Sequence, residues 1–342
     1  MRANGRRTLL LSLMGLLPAH PLLAAAAAAT RRRATTPVFR VPRVILPPGA
    51  SDHDAFVADA CERALHGAAG AVVAMDPWSG RVLAVVNPSE ALFRAYQPCS
   101  VFKIVVGIAG LSEGVITPES TYTCEKGCWM WPGHGPIDLR RALAVSCNPY
   151  FQWVGQQLGY DRVQRYAHLL GLGERSGINL AGEAAGVIPA SVRPEGVALL
   201  SSHAEGVATS AVQLGVLLSS VINGGIVFQP QVGAATGFTP KERWRLPEST
   251  RLVGLREGFL GAVNEGSAMP AFDPDVMVAG KTGSCAQLGW FASYAPADKP
   301  EVVIVVFLRH GNGHGASAVA GRIYQDLYKP QASAPLVTAG TR

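Results

Sequence analysis

The pattern of apolar and polar positions divides the chain into strand-like runs near both ends and helical periodicity between them. Two apolar, β-branched runs, Gly70 to Met75 and Arg81 to Val86, flank the turn-forming stretch Asp76-Pro77-Trp78-Ser79-Gly80 and predict a strand–turn–strand hairpin. In Val101 to Leu111, Leu139 to Val145, Tyr150 to Leu158 and Asp161 to Leu170, apolar residues recur at three- and four-residue spacing, the signature of one helical face. Ser210 with Gln213 has the form of a capping box, opening a helix that runs to Ile222 and stops at Asn223-Gly224-Gly225. Arg251 to Val263 predicts a further helix. Apolar strands return at Val276 to Gly280, Trp290 to Tyr294 and Val302 to Leu308, followed by a last helix from Ala316 to Tyr328. One sheet assembled from both ends, with an inserted all-helical lobe, accounts for this order. The fold class is α/β (α+β). Connections between the late strands are too short for crossover helices, so antiparallel pairing is expected.

Composition makes a large core affordable: 48% of residues are apolar and only 16% charged, which excludes a disordered tail protein or a coiled coil. The formal net charge of +6 is unevenly placed, since residues 1–43 hold eight arginines and no acid, leaving 22 basic against 24 acidic residues. A basic leader on a near-neutral body argues for export, whereas nucleic-acid binding would need a basic stripe on the fold itself. Arg2, Arg6 and Arg7 precede the apolar run Leu9 to Leu17 and the small-residue tract Ala24 to Ala29, the layout of a secretory signal over residues 1–29. An uncleaved anchor is the alternative, but Pro18, His20 and Pro21 interrupt the run short of the roughly 20 apolar residues a spanning helix needs. Residues 30–48, rich in Arg, Thr and Pro, form a tether; residues 49–330 form the body and residues 331–342 a flexible tail. The expected address is the periplasm or the outer face of the cytoplasmic membrane.

Two of only six lysines lie in motifs. Ser100-Val101-Phe102-Lys103 sets a hydroxyl and an amine three positions apart on one helical face, as a nucleophile and its base require. A buried lysine beside a second cation can shed its charge and accept the serine proton. Ser146-Cys147-Asn148 lies between two predicted helices, and Lys281-Thr282-Gly283-Ser284 follows the apolar strand Val276 to Gly280. Each alone has an innocent reading as a cap or turn. In this order and context the three are the signature of the serine penicillin-recognising enzymes.

The chain thus resembles the transpeptidase domain of penicillin-binding proteins over roughly residues 60–328. The stretches Gly133 to Leu139, Ser146 to Phe151, Gly171-Leu172-Gly173 and Gly186 to Pro189 look most like class B enzymes of the elongation type. The resemblance implies an antiparallel five-stranded sheet flanked by helices, the β-lactamase/transpeptidase-like fold, with the site at its junction with the helical lobe. It implies that Ser100 attacks the D-alanyl-D-alanine end of a peptidoglycan stem peptide and is acylated, with Lys103 as base. Ser146 and Asn148 would relay protons and hold the substrate amide, and Lys281 would set the local potential. Thr282, Gly283 and Ser284 would bind the substrate, and the N–H groups of Ser100 and Ser284 would form the oxyanion hole. β-Lactams would act as inhibitors, membrane-associated cell-wall synthesis proteins as partners, and the chemistry requires no cofactor. The chain departs from the family pattern at Cys99, where glycine is usual, and at Glu205-Gly206, where glutamine-glycine is usual; with only about forty residues ahead of the body, the N-terminal pedestal of class B enzymes is expected to be missing. A class D-like serine β-lactamase is the runner-up, although its tyrosine-glycine-asparagine motif is absent. A β-lactam or muropeptide sensor without turnover is a third reading.

Cys124, Cys128, His134 and Cys147 have the spacing C-x3-C-x5-H-x12-C, suited to a tetrahedral structural zinc site. By resemblance, His134 and Cys147 match zinc-ligand positions in some elongation-type transpeptidases. A Cys124–Cys128 disulfide with Cys147 buried as a small hydrophobe, or no bond at all, are the competing expectations. Cys99 and Cys285 each adjoin a motif, and their pairing is left open. His168, His203, His310 and His314 lack partners at ligand spacing and are assigned surface or core roles. Asp138 is expected to cap the helix starting at Leu139.

Overall fold

A computed structural model of the chain describes residues 43–247 and 252–329; the leader, most of the tether and the tail lie outside these residues. In chain order the elements are β1 (Val44–Ile45), α1 (Asp52–Leu65), β2 (Gly70–Met75), β3 (Arg81–Val86), α2 (Pro88–Ala91), α3 (Lys103–Ser112), β4 (Tyr122–Cys124) and β5 (Gly135–Ile137). There follow α4 (Leu139–Ala144), α5 (Asn148–Leu158), α6 (Tyr160–Leu169), α7 (Pro194–His203), α8 (Ala211–Ile222), β6 (Ile226–Phe228), β7 (Gln231–Val232) and β8 (Glu242–Arg245). The chain closes with α9 (Val253–Glu265), β9 (Ala279–Cys285), β10 (Leu288–Ala295), β11 (Val302–Arg309) and α10 (Gly313–Tyr328). Among the described residues no helix is long and apolar enough to cross a membrane.

The central sheet runs β3-β2-β11-β10-β9, all antiparallel, as the sequence suggests. Two short strands extend the expected five to seven: β1 pairs antiparallel with β3, and β7 pairs parallel with it. Alternate residues of each strand feed different cores. Val73, Val305, Trp290 and Phe307 point toward α8 and the helical lobe, while Val72, Ile304, Val306 and Phe291 point toward α1 and α10. Because both faces are covered, these strands read as continuous apolar runs without the alternation of a one-sided sheet.

Local chemistry explains the element boundaries. Ser51 and Asp54 form a capping box at the start of α1, and the same buried Asp54 carboxylate accepts two hydrogen bonds from Arg81, both at 3.0 Å, latching α1 to β3. Ser210 and Gln213 cap α8 reciprocally, and Asp138 caps α4 through Arg141 N at 2.7 Å. Every residue of α8 is buried, and a Cβ on Gly215 would lie 2.5 Å from Met75 Sδ, so glycine lets the helix press against the sheet. Two of the expected boundaries change in ways that bear on the site. The strand expected at Val276 to Gly280 begins at Ala279 and continues to Cys285, since Lys281 to Ser284 pair with β10 residues Ala292 to Gly289. The helix expected from Val101 begins as a 3-10 turn, Cys99–Phe102, and becomes α-helical at Lys103.

Candidate active site

Ser100 sits in that 3-10 turn, entered through Cys99 in a left-handed conformation, φ 52°. One step on, Lys103 opens α3 with its side chain fully buried beside the Phe151 ring, 5.6 Å from Nζ to the centroid. The second motif lies where α4 breaks: Ser146 is left-handed at φ 55°, and Cys147 and Asn148-Pro149 begin α5 in a new direction. The third motif lies within β9, where Lys281 is also fully buried. A Cβ on Gly283 would lie 2.6 Å from Pro98 O, so glycine is what lets β9 pass the Ser100 turn.

The two amines converge on one hydroxyl. Ser146 Oγ lies 3.1 Å from Lys103 Nζ and accepts from Lys281 Nζ at 3.0 Å. Lys103 Nζ also donates to Ser146 O at 2.9 Å and Asn148 Oδ1 at 2.6 Å, and Lys281 Nζ to Thr282 O at 3.0 Å. Burial disfavours charge on both amines. It brings Lys103 down to about 7, and it holds Lys281 well below its ordinary value with help from the Lys103 charge. Among the described residues no hydrogen bond joins Lys103 Nζ to Ser100 Oγ. Thr282 Oγ1 lies 2.6 Å from Ser267 Oγ, and Ser284 Oγ accepts from Gly313 N at 2.7 Å, tying β9 to the end of α9 and the start of α10. Ser100, Ser146, Asn148, Thr282 and Ser284 all line one cavity of about 550 Å³. A cavity of about 640 Å³ behind β9, lined by Phe272, Asp273, Met277 and Tyr328, holds none of the motif residues.

A cysteine-rich knuckle forms one wall. Cys124 ends β4, the loop to β5 carries Cys128 and His134, and Cys147 reaches in from the second motif. Their four ligand atoms lie within 4.8 Å of one another, with His134 Nδ1 3.3 Å from Cys128 Sγ and 3.6 Å from Cys124 Sγ. Zinc bonds of about 2.3 Å to sulfur and 2.0 Å to nitrogen, at tetrahedral angles, imply an S···N edge of about 3.5 Å. Three thiols and an imidazole suit zinc in their chemistry, and the two sulfur–nitrogen separations lie near that edge, within a set that spans up to 4.8 Å. Cys124 and Cys128 are not joined, so the alternative disulfide is not what forms. The loop also places Trp129 and Met130 on the cavity, with Trp129 Nε1 donating to Val145 O at 3.0 Å. Cys99 and Cys285 do pair, with Cα atoms 5.7 Å apart.

The penicillin binding protein transpeptidase domain model matches residues 70–329. The chain belongs to this family. Among proteins similar to it, the peptidoglycan D,D-transpeptidase MrdA of Acinetobacter baumannii is 26% identical over 334 residues, covering 74% of this chain and 49% of that one. Stage V sporulation protein D of Bacillus subtilis is 25% identical over 310 residues, covering 74% and 48%. The chain thus spans about half the length of these curated relatives. In fold it is similar to the D,D-transpeptidase domain of a peptidoglycan glycosyltransferase from Eggerthella lenta, with a TM-score of 0.71, 21% identity, and coverage of 79% of this chain and 80% of that one.

Two histidines given bland roles from sequence line the cavity of this transpeptidase domain. Asn148 Oδ1 accepts from Lys103, so Asn148 Nδ2 donates to His203 Nε2 at 3.3 Å. His203 Nδ1 then donates to Ser202 Oγ at 2.7 Å, and Ser202 Oγ donates onward to Ala198 O at 2.9 Å. Burial, then the Lys103 charge, holds the His203 pKa below its ordinary value and keeps the ring neutral, as this chain of bonds requires. His314 enters from the first turn of α10. Neither residue has a local signal, because His203 meets Asn148 and both histidines reach the cavity only through tertiary packing. His203→Ala removes the bond that orients the Asn148 amide, and loss of about 1 kcal/mol should slow acylation by a penicillin roughly fivefold, measured by stopped flow.

Proposed function

We propose that this transpeptidase domain is a serine D,D-transpeptidase acting on peptidoglycan stem peptides. The observation that carries the reading is the buried amine–hydroxyl–amine array of Lys103, Ser146 and Lys281 beside Ser100. Substrate binding would draw neutral Lys103 onto Ser100 Oγ, remove its proton and release the oxygen to attack the carbonyl between the two D-alanines. The Ser100 and Ser284 N–H groups receive the developing oxyanion. Ser146, bonded to both amines, passes a proton to the departing D-alanine nitrogen. Asn148 holds the stem-peptide amide, and Thr282 and Ser284 hold the terminal carboxylate, while Lys281 donates to Ser146 Oγ behind them. The amine of a neighbouring stem then attacks the acyl-enzyme, forming the cross-link and freeing Ser100. β-Lactams, which imitate the D-alanyl-D-alanine end, would leave the serine acylated.

Zinc bound by Cys124, Cys128, His134 and Cys147 would serve as a structural cross-link. It takes no part in the bond-making steps, and the chemistry needs no cofactor. An exported domain at the outer face of the cytoplasmic membrane, working beside membrane-associated cell-wall synthesis proteins, fits this reading and the basic leader.

Mixing the protein with a chromogenic cephalosporin tests the proposal. A burst of one acyl group per chain followed by very slow release is expected, with no labelling of Ser100→Ala. Rapid turnover would favour the β-lactamase reading, and labelling of Ser100→Ala would overturn the site. Because the base must be neutral and its pKa is lowered to about 7, the acylation rate constant should rise with pH through about 7 and level off above it. A rate that stays flat from pH 5 to about 9 would remove Lys103 from that role.

A further inference from the structure

The Cys99–Cys285 disulfide joins residues 186 positions apart, and its place relative to the chemistry is specific. Cys99 immediately precedes Ser100, and Cys285 immediately follows Ser284. The two N–H groups read above as the oxyanion hole therefore belong to the two residues adjoining a single covalent bridge. We infer that this bridge is a positioning device that fixes the separation and mutual orientation of the Ser100 and Ser284 N–H donors, and so sets the acylation step. The inference rests on the serine acyl-enzyme reading of the site.

The backbone on each side of the bridge needs holding. Cys99 has φ 52°, and the turn between Cys285 and its partner Leu288 is made of Ala286 at φ 41° and Gln287 at φ 64°. A two-residue hairpin with both φ values positive favours Asn-Gly, and neither residue is present here. Left-handed conformations cost L-residues about 1–2 kcal/mol each, so three such positions flank the two donors without glycine to ease them.

The remaining anchors act on other parts of the two segments. Trp290 Nε1 donates to Gln97 O at 2.9 Å, ahead of the turn that carries Ser100. Beyond the third motif, Gly313 N donates to Ser284 Oγ at 2.7 Å and Gly311 N to Gln287 O at 2.8 Å, both pulling the hairpin end toward the start of α10. The disulfide is what ties that end back to Ser100. An oxyanion hole works only if its donors are placed before the reaction, so freedom at this point should fall on the chemical step and spare binding.

The test uses the purified full chain, a chromogenic cephalosporin, and pre-steady-state kinetics that separate the binding constant Ks from the acylation rate constant k2. A water-soluble phosphine reduces the bridge: phosphorus takes the oxygen of one water and becomes the phosphine oxide, and the two sulfurs end as thiols, a gain of two hydrogens visible by mass spectrometry. Reduction should lower k2 by about 10- to 100-fold with Ks changed less than about twofold, and reoxidation with oxidised glutathione should restore k2. The double variant Cys99→Gly with Cys285→Ser keeps a residue at home in the left-handed conformation but removes the tether, and should show the same loss. Wild-type k2 in the reduced protein or in that variant would overturn the inference, as would equal losses in Ks and k2, which would mark general loosening. Absence of a burst in the oxidised protein would overturn the serine reading itself and this inference with it. Should the double variant not fold, the reduction and reoxidation of the native protein decide the matter alone.

Discussion

Replacing Lys103 with methionine should lower the rate constant for acylation of Ser100 by about 10³-fold, within the range for loss of a positioned general base, while leaving the protein folded. The amine has no acidic partner among its hydrogen bonds, which go to Ser146 O, Ser146 Oγ and Asn148 Oδ1. Burial favours the neutral amine, whose two N–H groups reach Ser146 O and Asn148 Oδ1 while its lone pair faces Ser146 Oγ, and this is also the form that can take a proton. Methionine keeps much of the length and can pack its sulfur against Phe151, so the volume stays filled. Ser146 Oγ keeps its bond from Lys281, but Asn148 Oδ1 and Ser146 O lose a donor, at about 1–3 kcal/mol for each acceptor left unsatisfied. Relief from burying an ionisable group acts in the opposite direction, so the melting temperature should move by only a few degrees. Lys103→Arg should be as inactive as the methionine variant, because a guanidinium cannot shed its proton in this pH range. Acylation of either variant within tenfold of wild type, followed by stopped flow, would exclude Lys103 as the base. The methionine variant should also raise the pKa of Lys281, since the Lys103 charge is among the causes that depress it.

The parts of this site legible in the sequence are those whose signal is local. Ser100 with Lys103 and the run Lys281 to Ser284 need only a few consecutive residues, and Ser210 with Gln213 announces a helix start by itself. The hairpin of β2 and β3 is found at its predicted bounds because turn formers mark both of its inner ends. β9 is harder: its hydrogen bonding continues through Lys281-Thr282-Gly283-Ser284, residues with no apolar pattern, so the apolar run shows neither where the strand begins nor where it stops. Added edge strands β1 and β7, of two residues each, are too short to carry a period. His203 and the Cys99–Cys285 bridge depend on packing between distant segments, and sequence separation hides both. The cysteine and histidine cluster is intermediate, since its spacing is visible within 24 positions but its convergence requires the β4–β5 hairpin to fold back onto the second motif.

On the proposed zinc site, chelation of the metal should cost the protein much of its stability and part of its activity. A ligand present at a thousandfold excess over its dissociation constant stabilises the folded state by about 4 kcal/mol. For a domain of this size each kcal/mol corresponds to about 2–4 °C, so chelation should lower the melting temperature by about 10 °C. The loss would not be confined to the loop, because Cys147 stands between Ser146 and Asn148, the two residues that bind Lys103. The loop bearing Trp129 and Met130 is also tied to this turn by the Trp129–Val145 hydrogen bond. Cys128→Ser and Cys147→Ser separate the two consequences. Both should reduce zinc content and melting temperature, but Cys147→Ser should slow acylation more, since it disturbs the Ser146–Asn148 turn directly. Elemental analysis, melting curves and burst kinetics on the same samples check all three outcomes. A purified protein with no stoichiometric zinc, whose melting is unchanged by chelation, would leave the four residues as a buried thiol–imidazole cluster and return the support of the second motif to packing alone.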